Sequence, residues 1–547
     1  MSAQKLRGGF YTPAPLVQFC LERLRPLLPP RGDVSVLEPS AGDGAFLRGI
    51  AANGALAKRA REMLAIEPLD LEAEKCRRSF AATRIAGSTF VESAVKWGAD
   101  SEEWFDAAVG NPPFVRYQFI SAWDKAQIAR LGARLGFSFA GVSNLWLPVL
   151  FAALSRLKPT GAFSFVVPTE LLTGLSASRL RRWLAANCGQ LRVDLFEPGS
   201  FPEVLQEVAV LSGRRAAAVA APATLTIGEH ASDGNEHSWT HPLDPEQPNW
   251  TRYLLTPAQL HAFDEARAGA AIHSLGSLAR FQVSIVTGAN DFFSVSESDL
   301  SAFDLSPWAK ALLPRIRHAP GLLYTAADQA AALEAGARGW LLDFSEGAAD
   351  PLEQKGPARY LRSGRSRKLH KRYKCRIREP WFRVPHIAKG ELLLSKRSHR
   401  YPRVIVNEAG AYTTDTIYRG DPLTEGGISA RALSAGFHSS LTLLSAELEG
   451  RSFGGGVLEL VPSEIERLAV ATSGEAERWI PDLDAIARSG DEEAVVVATD
   501  AALVDAGVLD SEVVEILSEA RLELMGRRLA RNERGLPERE SELEEAA

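Results

Sequence analysis

The first 210 residues alternate short apolar runs with stretches whose apolar positions recur at helical spacing. This alternation is typical of βαβ units, in which helices join parallel strands. The predicted strands are Val34–Leu37, Met63–Ile66, Phe105–Val109, Ala162–Val167, Leu191–Phe196 and Val208–Leu211. The predicted helices include Pro15–Leu27, Ala45–Asn53 and Leu145–Leu157. The pattern therefore predicts an α/β fold built on a mostly parallel sheet.

The pattern weakens beyond this region. Between Gly213 and Asn249 the composition shifts to Ala, Pro, Gly, His and Asp, with one strand-like run at Thr224–Ile227. The residues that follow are irregular and rich in Arg and aromatic side chains, and Leu536–Glu545 holds five Glu and one Arg. We expect an α/β domain at 1–230, a linker at 231–250, a mixed α+β domain at 251–531 and an acidic tail at 532–547.

The composition excludes wholesale disorder, since apolar residues make up 46% of the 547 residues and charged residues 24%. The chain lacks the run of about 18 apolar residues that would predict a membrane span. Met1–Phe10 lacks the apolar stretch of a secretory signal. The four cysteines lie far apart without a C-x-x-C pair, which argues against disulfides and a zinc site. We expect a cytoplasmic monomer that binds no metal and no membrane.

Charge is distributed unevenly along the chain. The formal net charge is −6, from 62 Lys and Arg against 68 Asp and Glu. Residues 359–378 contain ten Lys or Arg and no Asp or Glu, so the rest of the chain carries a net charge of −16. Such a segment is either a solvated surface loop or a strip that contacts phosphates. Tyr360, Tyr373 and Trp381 nearby could supply rings that stack on bases, which favours the second interpretation.

A glycine-containing turn follows the first predicted strand. The sequence reads Glu38-Pro39-Ser40-Ala41-Gly42-Asp43-Gly44 before a predicted helix. Glycines let the backbone approach a ligand, and a helix start offers free N–H groups. Glu67 ends the next strand, where an acid can accept hydrogen bonds from ribose hydroxyls. The alternatives are a surface acid at a strand end for Glu67, and a different nucleotide-binding enzyme for the pair of motifs.

This turn resembles motif I of the S-adenosylmethionine-dependent methyltransferases. The resemblance implies a Rossmann-like class I methyltransferase domain with S-adenosylmethionine as its cofactor. The implied cofactor contacts are Glu38, Pro39, Ser40, Ala41, Gly42, Gly44 and Glu67. A carboxylate at Glu38 favours a sulfonium ligand with a free amino group, whereas it would repel the pyrophosphate of NAD.

A second motif, Gly110-Asn111-Pro112-Pro113-Phe114, ends the strand Phe105–Val109. The two prolines stiffen the loop and remove two N–H donors. The Asn111 side-chain oxygen and the Pro112 carbonyl are left as acceptors, followed directly by the Phe114 ring. Two acceptors and a stacking face suit a planar substrate with an NH₂ group, whose nitrogen lone pair is exposed when both protons are accepted. The alternative is a simple Pro-Pro turn.

The second motif resembles that of the gamma-class (TaqI-like) N6-adenine DNA methyltransferases of restriction–modification systems. In that class the cofactor motif precedes the catalytic motif, and a target-recognition domain follows. Further matching stretches are Gly9–Pro13 (motif X), Leu145–Pro168 (motif V and the next strand) and Gly199–Pro202 (motif VIII). In the C-terminal half, Val286–Asn290 and Leu448–Gly455 resemble stretches of recognition domains.

The resemblance implies site-specific methylation of adenine N6 in double-stranded DNA, with the target base flipped out of the duplex. The implied catalytic residues are Asn111, Pro112, Pro113, Phe114 and Phe201, with the two rings stacking on the base. The remaining implied cofactor contacts are Tyr11, Thr12, Pro13, Thr89, Phe90 and Asn111. The expected DNA contacts are Arg116, Arg365, Arg367, Lys368, Lys371, Arg372 and Lys374. A cognate restriction endonuclease is an expected partner.

One position departs from the family pattern, and three other interpretations stay open. An acid often begins motif III and contacts the adenine of the cofactor, but alignment on Phe90 puts Thr89 there, with Glu92 nearby as a substitute. Methyltransferases that act on protein glutamine or on guanine in RNA use a similar Asn-Pro-Pro motif. The chain could also be a non-catalytic DNA-reading subunit or carry a fused nuclease, although no carboxylate–lysine cluster that would bind a catalytic metal is evident.

Overall fold

The computed structural model describes residues 11–139, 141, 144–197, 200–201, 208–216, 223–231, 233–247, 249–345, 350–385, 387–453 and 455–530. Gly9, Phe10, Gly199, Pro202, Gly454 and the expected tail at 532–547 therefore lie outside the described residues. The chain divides into two compact units, Met1–Pro257 and Ala258–Ala547.

The first unit is built on one nine-stranded sheet. Its strands are β1 (Val34–Glu38), β2 (Ala60–Ile66), β3 (Gly87–Phe90), β4 (Phe105–Gly110), β5 (Leu157–Pro168), β6 (Cys188–Phe196), β7 (Val208–Arg215), β8 (Thr224–His230) and β9 (Glu236–Pro242). Their order is β3-β2-β1-β4-β5-β7-β6-β8-β9. Strands β1 to β5 pair in parallel, β7 pairs antiparallel with β5 and β6, and β9 pairs antiparallel with β8. The mostly parallel sheet predicted for this region is confirmed.

Helices alternate with the strands as the apolar pattern predicts. They are α1 (Ala14–Leu24), α2 (Ala45–Ala52), α3 (Gly54–Ala57), α4 (Asp70–Ala82), α5 (Ala94–Asp100), α6 (Ala122–Leu135), α7 (Trp146–Leu154), α8 (Glu170–Thr173) and α9 (Ser178–Asn187). Helix α7 is apolar all round and is buried at every position, and β5 is buried from Gly161 to Pro168. Continuous apolar runs of this kind belong to elements covered on all sides.

The order of the sheet reverses between β1 and β4. From β1 the chain proceeds outward to β2 and β3, whereas β4 and β5 extend the sheet from the opposite side of β1. Ligands of open α/β sheets bind outside the carboxyl ends of the strands at such a switch point. Strand β1 ends at Glu38 and β4 ends at Gly110, so the two motifs found in the sequence meet at this edge.

The segment expected to be a linker, 231–250, instead belongs to the first unit. It supplies β9, which pairs with β8 along its whole length. Trp250 is buried, and its backbone N–H donates to the carbonyl oxygen of Leu172 (2.8 Å). Strand β8, in which Thr alternates with Leu and Ile, forms a hairpin with β9. The second strand of the hairpin, β9, is polar, since three of its seven residues are His or Glu. The apolar pattern therefore did not predict it as a strand.

The second unit is a mixed α+β structure, as expected from the sequence. Its strands are β10 (Ile272–Ser274), β11 (Ala279–Gln282), β12 (Ser294–Val295), β13 (Ala309–Leu313), β14 (Trp340–Leu342), β15 (Leu392–Ser395), β16 (Arg397–Ser398), β17 (Val404–Val406), β18 (Tyr412–Thr413), β19 (Ile417–Pro422), β20 (Arg451–Phe453), β21 (Val457–Glu459) and β22 (Ala469–Ala471). They form small sheets with the orders β11-β19-β15-β17, β12-β14-β13-β18, β16-β21-β20 and β10-β22.

The helices of this unit are short at first and longer towards the C-terminus. They are α10 (Pro257–Arg267), α11 (Leu275–Leu278), α12 (Asn290–Phe293), α13 (Glu297–Phe303), α14 (Ala326–Glu334), α15 (Lys355–Ser366), α16 (Tyr373–Arg376), α17 (Ala430–Phe437), α18 (Ser440–Glu449), α19 (Pro462–Ile465), α20 (Ala476–Arg488), α21 (Glu492–Asp505) and α22 (Ser511–Ala530). Among the described residues, no helix is both long enough and apolar enough to cross a membrane.

Candidate active site and nucleic-acid interface

The glycine turn after β1 has a backbone shape that other residues would strain. Gly42 and Gly44 have φ values of +53° and +85°, and Gly44 precedes the first turn of α2. A Cβ at Gly44 would lie 3.1 Å from the Cβ of Ser79 on α4. The turn is also tied to the next strand, because the Ala41 N–H donates to the Ile66 carbonyl (2.9 Å). The structure thus has a glycine turn between β1 and α2, where the sequence predicted one.

Glu38 is a buried acid with an unpartnered oxygen. Its side chain is 1% exposed, and among the described residues no donor reaches its Oε2 atom. Burial raises the pKa of Glu38 well above its usual range, with the neighbouring Asp43 and Glu67 carboxylates acting in the same direction. An orphaned buried carboxyl oxygen is costly unless a ligand completes it. A cationic or hydrogen-bond-donating ligand would do so.

Glu67 contacts the turn directly. Its Oε2 accepts from the Gly42 N–H (3.0 Å) and its Oε1 from the Leu69 N–H (3.0 Å). Burial raises the pKa of this carboxyl as well, while the two backbone donors act to lower it. Each carboxylate oxygen can accept a second hydrogen bond. Glu67 can therefore shape the turn and still accept hydroxyl donors from a ligand.

Asn111 follows β4 and is held from two sides. Its Nδ2 donates to the Thr12 hydroxyl (3.1 Å), and its backbone carbonyl accepts from the Ser40 hydroxyl (3.2 Å). The second contact joins the loop after β4 to the glycine turn after β1. Because Nδ2 is the donor, Oδ1 is left as an acceptor, and none of the described residues donates to it. The loop thus offers the acceptor that the sequence predicted.

The rings of Phe114 and Phe201 are both partly buried against the core of the first unit. Phe201 packs edge-on against Phe196, with ring centroids 5.0 Å apart. Pro112 is buried, and Pro113 is half-buried between it and Phe114. Both rings therefore have one packed side.

Two predicted cofactor contacts lie at the end of β3, beside the end of β2. Thr89 pairs with Ala65 and Phe90 with Ile66, which places them one strand away from the glycine turn. Phe90 is half exposed. The acid considered as a substitute for Thr89, Glu92, is already paired: it accepts from Lys96 and from the Ser93 N–H. Glu92 is therefore a poor substitute.

The motif X stretch enters the structure at Tyr11. Pro13 precedes the first turn of α1, and its carbonyl accepts from the Val17 N–H (3.0 Å). The Tyr11 hydroxyl donates to Glu72 on α4 (3.0 Å) and accepts from Lys75 (2.7 Å). Tyr11 is thus anchored by α4, while Thr12 contacts Asn111.

A cavity of about 310 Å³ lies beside the Asn111 loop. Its lining residues are Arg116, Tyr117, Gln118, Asn144 and Glu170. Arg116 pairs with Asn144 in an isolated antiparallel bridge, and the Leu145 N–H donates to the Val115 carbonyl (2.8 Å). Sequence reasoning found Arg116 but missed Gln118, Asn144 and Glu170. No sequence signal marks these three, because three separate chain segments bring them together.

The basic segment of the second unit is helical and not a loop. It comprises α15, a 3₁₀ turn at Leu369–Lys371, and α16. The predicted DNA contacts within it are all exposed: Arg365, Arg367, Lys368, Lys371, Arg372 and Lys374. Two of its three predicted stacking rings are misassigned. Tyr360 and Trp381 are each 7% exposed and pack in a core cluster around Phe292, 4.5 Å and 5.5 Å away between ring centroids.

One group of side chains in the described part of the chain has the composition of a metal site. Asp194, His230 and Glu236 lie close enough to share an ion. However, Asp194 accepts from Arg23 (3.0 Å) and Arg192 (2.8 Å), and Glu236 is bound by the same two arginines. Two guanidinium groups already neutralise these carboxylates, so the cluster is an ion-pair network at the edge of the sheet.

Two family models match this chain. The model described as "Eco57I restriction-modification methylase" matches residues 62–199. The model described as "Type II methyltransferase M.Eco57I, C-terminal domain" matches residues 247–504. The first covers the Asn111 loop and the second covers the basic segment.

Curated and solved proteins give similar results. The Type II methyltransferase M.XamI of Xanthomonas campestris pv. amaranthicola is 24% identical over 482 residues, 85% of each chain. The Type II methyltransferase M.BanIII of Aneurinibacillus aneurinilyticus is 27% identical over 205 residues, 34% of each chain. The solved type IIG restriction endonuclease BpuSI has a TM-score of 0.42 and 14% identity, covering 95% of this chain and 67% of that chain.

Proposed function

We propose that this chain acts as a DNA methyltransferase of the restriction–modification type and methylates the N6 amino group of adenine, using S-adenosylmethionine. One observation carries the proposal. The unpartnered carboxyl oxygen of Glu38 and the unpartnered amide oxygen of Asn111 lie at the carboxyl ends of neighbouring strands, joined by the Ser40 contact. The first suits the amino group of the cofactor, and the second suits the amino group of the substrate.

The residues around the switch point fit S-adenosylmethionine. This cofactor would supply an electrophilic methyl group carried on a sulfonium. The orphaned Glu38 oxygen would accept from its amino group, and the glycine turn would let its methionine part approach the backbone. Glu67 would accept from the ribose hydroxyls. The exposed apolar side chains of Leu69 and Phe90, at the ends of β2 and β3, would cover its adenine.

Asn111 and Pro112 would act on the substrate amino group. Asn111 Oδ1 and the Pro112 carbonyl would accept the two N6 protons, which draws the nitrogen lone pair out of conjugation with the ring. That lone pair would then be free to accept the electrophilic methyl group that the cofactor supplies, and one N–H proton would leave to water. Catalysis by positioning of this kind can contribute several kcal/mol.

The target adenine must leave the duplex before its amino group can reach Asn111. Phe114 and Phe201 would stack on the extruded base. The cavity beside the loop would hold its remaining polar edge, since Arg116, Gln118 and Asn144 carry donors for ring nitrogens. The exposed cations of α15 and α16 would bind phosphates. Double-stranded DNA is thus the proposed partner, together with a cognate endonuclease that reads the same site.

Analysis of the methylated nucleoside tests the proposal. The purified chain is incubated with S-adenosylmethionine labelled in the methyl group and with unmethylated duplex DNA, which is then digested to nucleosides. We expect the label in N6-methyladenine. Label in N4-methylcytosine would overturn the assignment to adenine, since the two acceptors also suit that amino group. Label only in RNA or protein would overturn DNA as the substrate.

A further inference from the structure

Nine exposed cations lie on the helical segment 359–378, which includes α16. They are Arg359, Arg362, Arg365, Arg367, Lys368, Lys371, Arg372, Lys374 and Arg376. The tenth cation of the segment, Arg378, is half-buried and has a structural role described below. Because residues 359–378 contain no Asp or Glu, the surface has no acidic side chains of its own segment to neutralise it.

Two large apolar side chains, Tyr373 and Ile377, lie among these cations in the sequence. Tyr373 is 64% exposed and Ile377 is 63% exposed, and their spacing of four residues puts them on one side of the helical turn. The ammonium of Lys374 and the guanidinium of Arg376 lie 5.8 Å from the centroid of the Tyr373 ring. With Tyr360 and Trp381 buried, Tyr373 is the accessible ring of the three that the sequence indicated.

The backbone that carries Tyr373 and Ile377 is held in place by contacts to residues 286–288. Arg378 donates to the carbonyls of Thr287 (2.7 Å) and Val286 (2.6 Å), and the Cys375 thiol is buried 3.8 Å from the Thr287 carbonyl. Gly288 has a φ of +77°, and a Cβ there would lie 2.7 Å from the Cβ of Lys374. Helix α16 therefore packs directly on the backbone of 286–288, and its outer face is held in one position.

This combination fits a polyanion with an apolar interior. A protein partner with an apolar patch would have to bury several unpaired cations to reach Tyr373 and Ile377, and each burial is unfavourable. A nucleic-acid duplex places its phosphates outside and its stacked bases within a few ångströms of them. Apolar side chains inserted between base steps and aromatic rings stacked on bases are established modes of DNA contact.

We propose that Tyr373 and Ile377 form an apolar wedge that contacts the bases of duplex DNA while the surrounding cations hold its phosphates. The proposal rests on the proposed function only in taking duplex DNA as the substrate. It deepens that function by assigning base contact to two side chains which are neither cationic nor part of the catalytic loop. It needs no particular recognition sequence.

Binding measured at several salt concentrations separates the wedge from the charges. The full chain is titrated against a fluorescein-labelled duplex of mixed sequence. Tyr373→Ala is expected to weaken binding about tenfold, which corresponds to removal of one stacked ring. The slope of affinity against salt should stay that of the wild type, because every cation that binds a phosphate is retained. Tyr373→Phe keeps the ring and should bind like the wild type.

Matched variants complete the design. Ile377→Ala should weaken binding several-fold, whereas Val497→Ala, which shortens an equally exposed apolar side chain on α21, should have no effect. The double variant Arg365→Gln, Lys368→Gln should lower both the affinity and the salt slope. A duplex with 2-aminopurine at successive positions should brighten at the wedge contact with the wild type and not with Tyr373→Ala.

The outcomes distinguish this proposal from the proposed function. If the wild type binds and methylates duplex DNA while Tyr373→Ala binds with unchanged affinity, the wedge is overturned and the methyltransferase assignment stands. A Tyr373→Ala variant that flattens the salt slope also overturns the wedge, because the ring then acts through the phosphate contacts. If the wild type binds no duplex DNA, both proposals fail together.

Discussion

The two units differ in how they distribute their polar groups. The first unit holds a few acceptors in fixed and buried places: Glu38 is 1% exposed, and Asn111 is fixed by contacts to Thr12 and Ser40. The second unit spreads nine cations over the exposed surface of one helical segment. In the proposed function, the chemistry that depends on atomic positions lies in the first unit, and the long-range attraction of DNA phosphates is distributed over the second. A single substitution should therefore strongly reduce methyl transfer in the first unit. In the second unit, the loss of DNA affinity should grow with the number of cations replaced.

The largest effect is expected at Asn111. Asn111→Ala removes the acceptor proposed to draw out the nitrogen lone pair, and methyl transfer should fall at least about 100-fold, as when a single preorganised transition-state hydrogen bond is removed. DNA binding should survive, because the charges of the second unit are untouched. Single-turnover transfer of a labelled methyl group measures the first, and fluorescence anisotropy the second.

Asn235→Ala is the matched control for this variant. Asn235 lies in the exposed hairpin between β8 and β9, where it contacts Asp233. Its removal should leave transfer unchanged. Undiminished transfer by Asn111→Ala would mean that the first unit does not concentrate its chemistry at this residue.

The next largest effect is expected from the basic segment, and it requires several substitutions. Replacing Arg365, Arg367, Lys368 and Lys371 by Gln should weaken binding to every DNA sequence about 100-fold at moderate salt. The salt slope should fall by roughly 0.9 for each phosphate that is no longer neutralised. Arg365→Gln alone should weaken binding only about threefold. A single variant as damaging as the quadruple one would contradict the idea of a distributed surface.

A smaller effect is expected at Glu38. Glu38→Gln removes the charge proposed to pair with the cofactor's amino group, so the dissociation constant for S-adenosylmethionine should rise about tenfold. Burial raises the pKa of Glu38 in the free protein. Over the pH interval between its unfolded and folded pKa values, the native state holds the extra proton. The free energy of unfolding therefore falls as the pH rises.

Cofactor binding requires the carboxylate, so affinity should tighten over the same interval. Thermal melts between about pH 5 and pH 8, with and without the cofactor, measure both trends. Glu38→Gln should reduce the pH dependence of both, and the dependence that remains comes from other buried carboxyls such as Glu67, whose pKa burial also raises. A wild-type affinity that is flat with pH would show that the carboxyl titrates elsewhere or has another role.

A smaller effect than at Glu38 is expected at Thr12. Its hydroxyl accepts from Asn111 Nδ2 and so determines which end of the amide is the acceptor. Thr12→Val should lower kcat about fivefold, the net contribution of one hydrogen bond, while the dissociation constant for the cofactor stays unchanged. Thr12→Ser should restore the wild-type rate. A change in cofactor affinity without a change in kcat would make Thr12 a cofactor contact, as its motif implies, and not a positioning residue.

The sequence predicted the first unit better than the second for a physical reason. The ends of β1 and β4 carry glycine or proline next to an acid or an amide, and these local signals do not depend on distant packing. The bond between Thr12 and Asn111 joins residues 99 positions apart and could not be predicted from local pattern. The hairpin β8–β9 was missed because exposed edge strands tolerate polar composition.

The spacing of apolar residues on α15 explains why Tyr360 is a core residue and not a ring available for stacking. Among the many cations of α15, one face of the helix is buried. Its residues Pro357, Tyr360, Leu361 and Gly364 recur at spacings of three, four and seven residues from Pro357. That spacing assigns Tyr360 to the core, where its hydroxyl donates to the Phe292 carbonyl (2.6 Å). The exposure of Tyr373 depends on how α16 docks, and no local pattern encodes it.

The two sides of the short helix α16 are constrained differently. Gly288 and Arg378 fix the inner side, where no side chain can be added without displacing backbone. The outer side makes no demand on folding, so its residues can be exchanged freely at little thermodynamic cost. A library that randomises positions 373 and 377 and keeps 288 and 378 constant is therefore a practical starting point for evolving new DNA preferences in this enzyme.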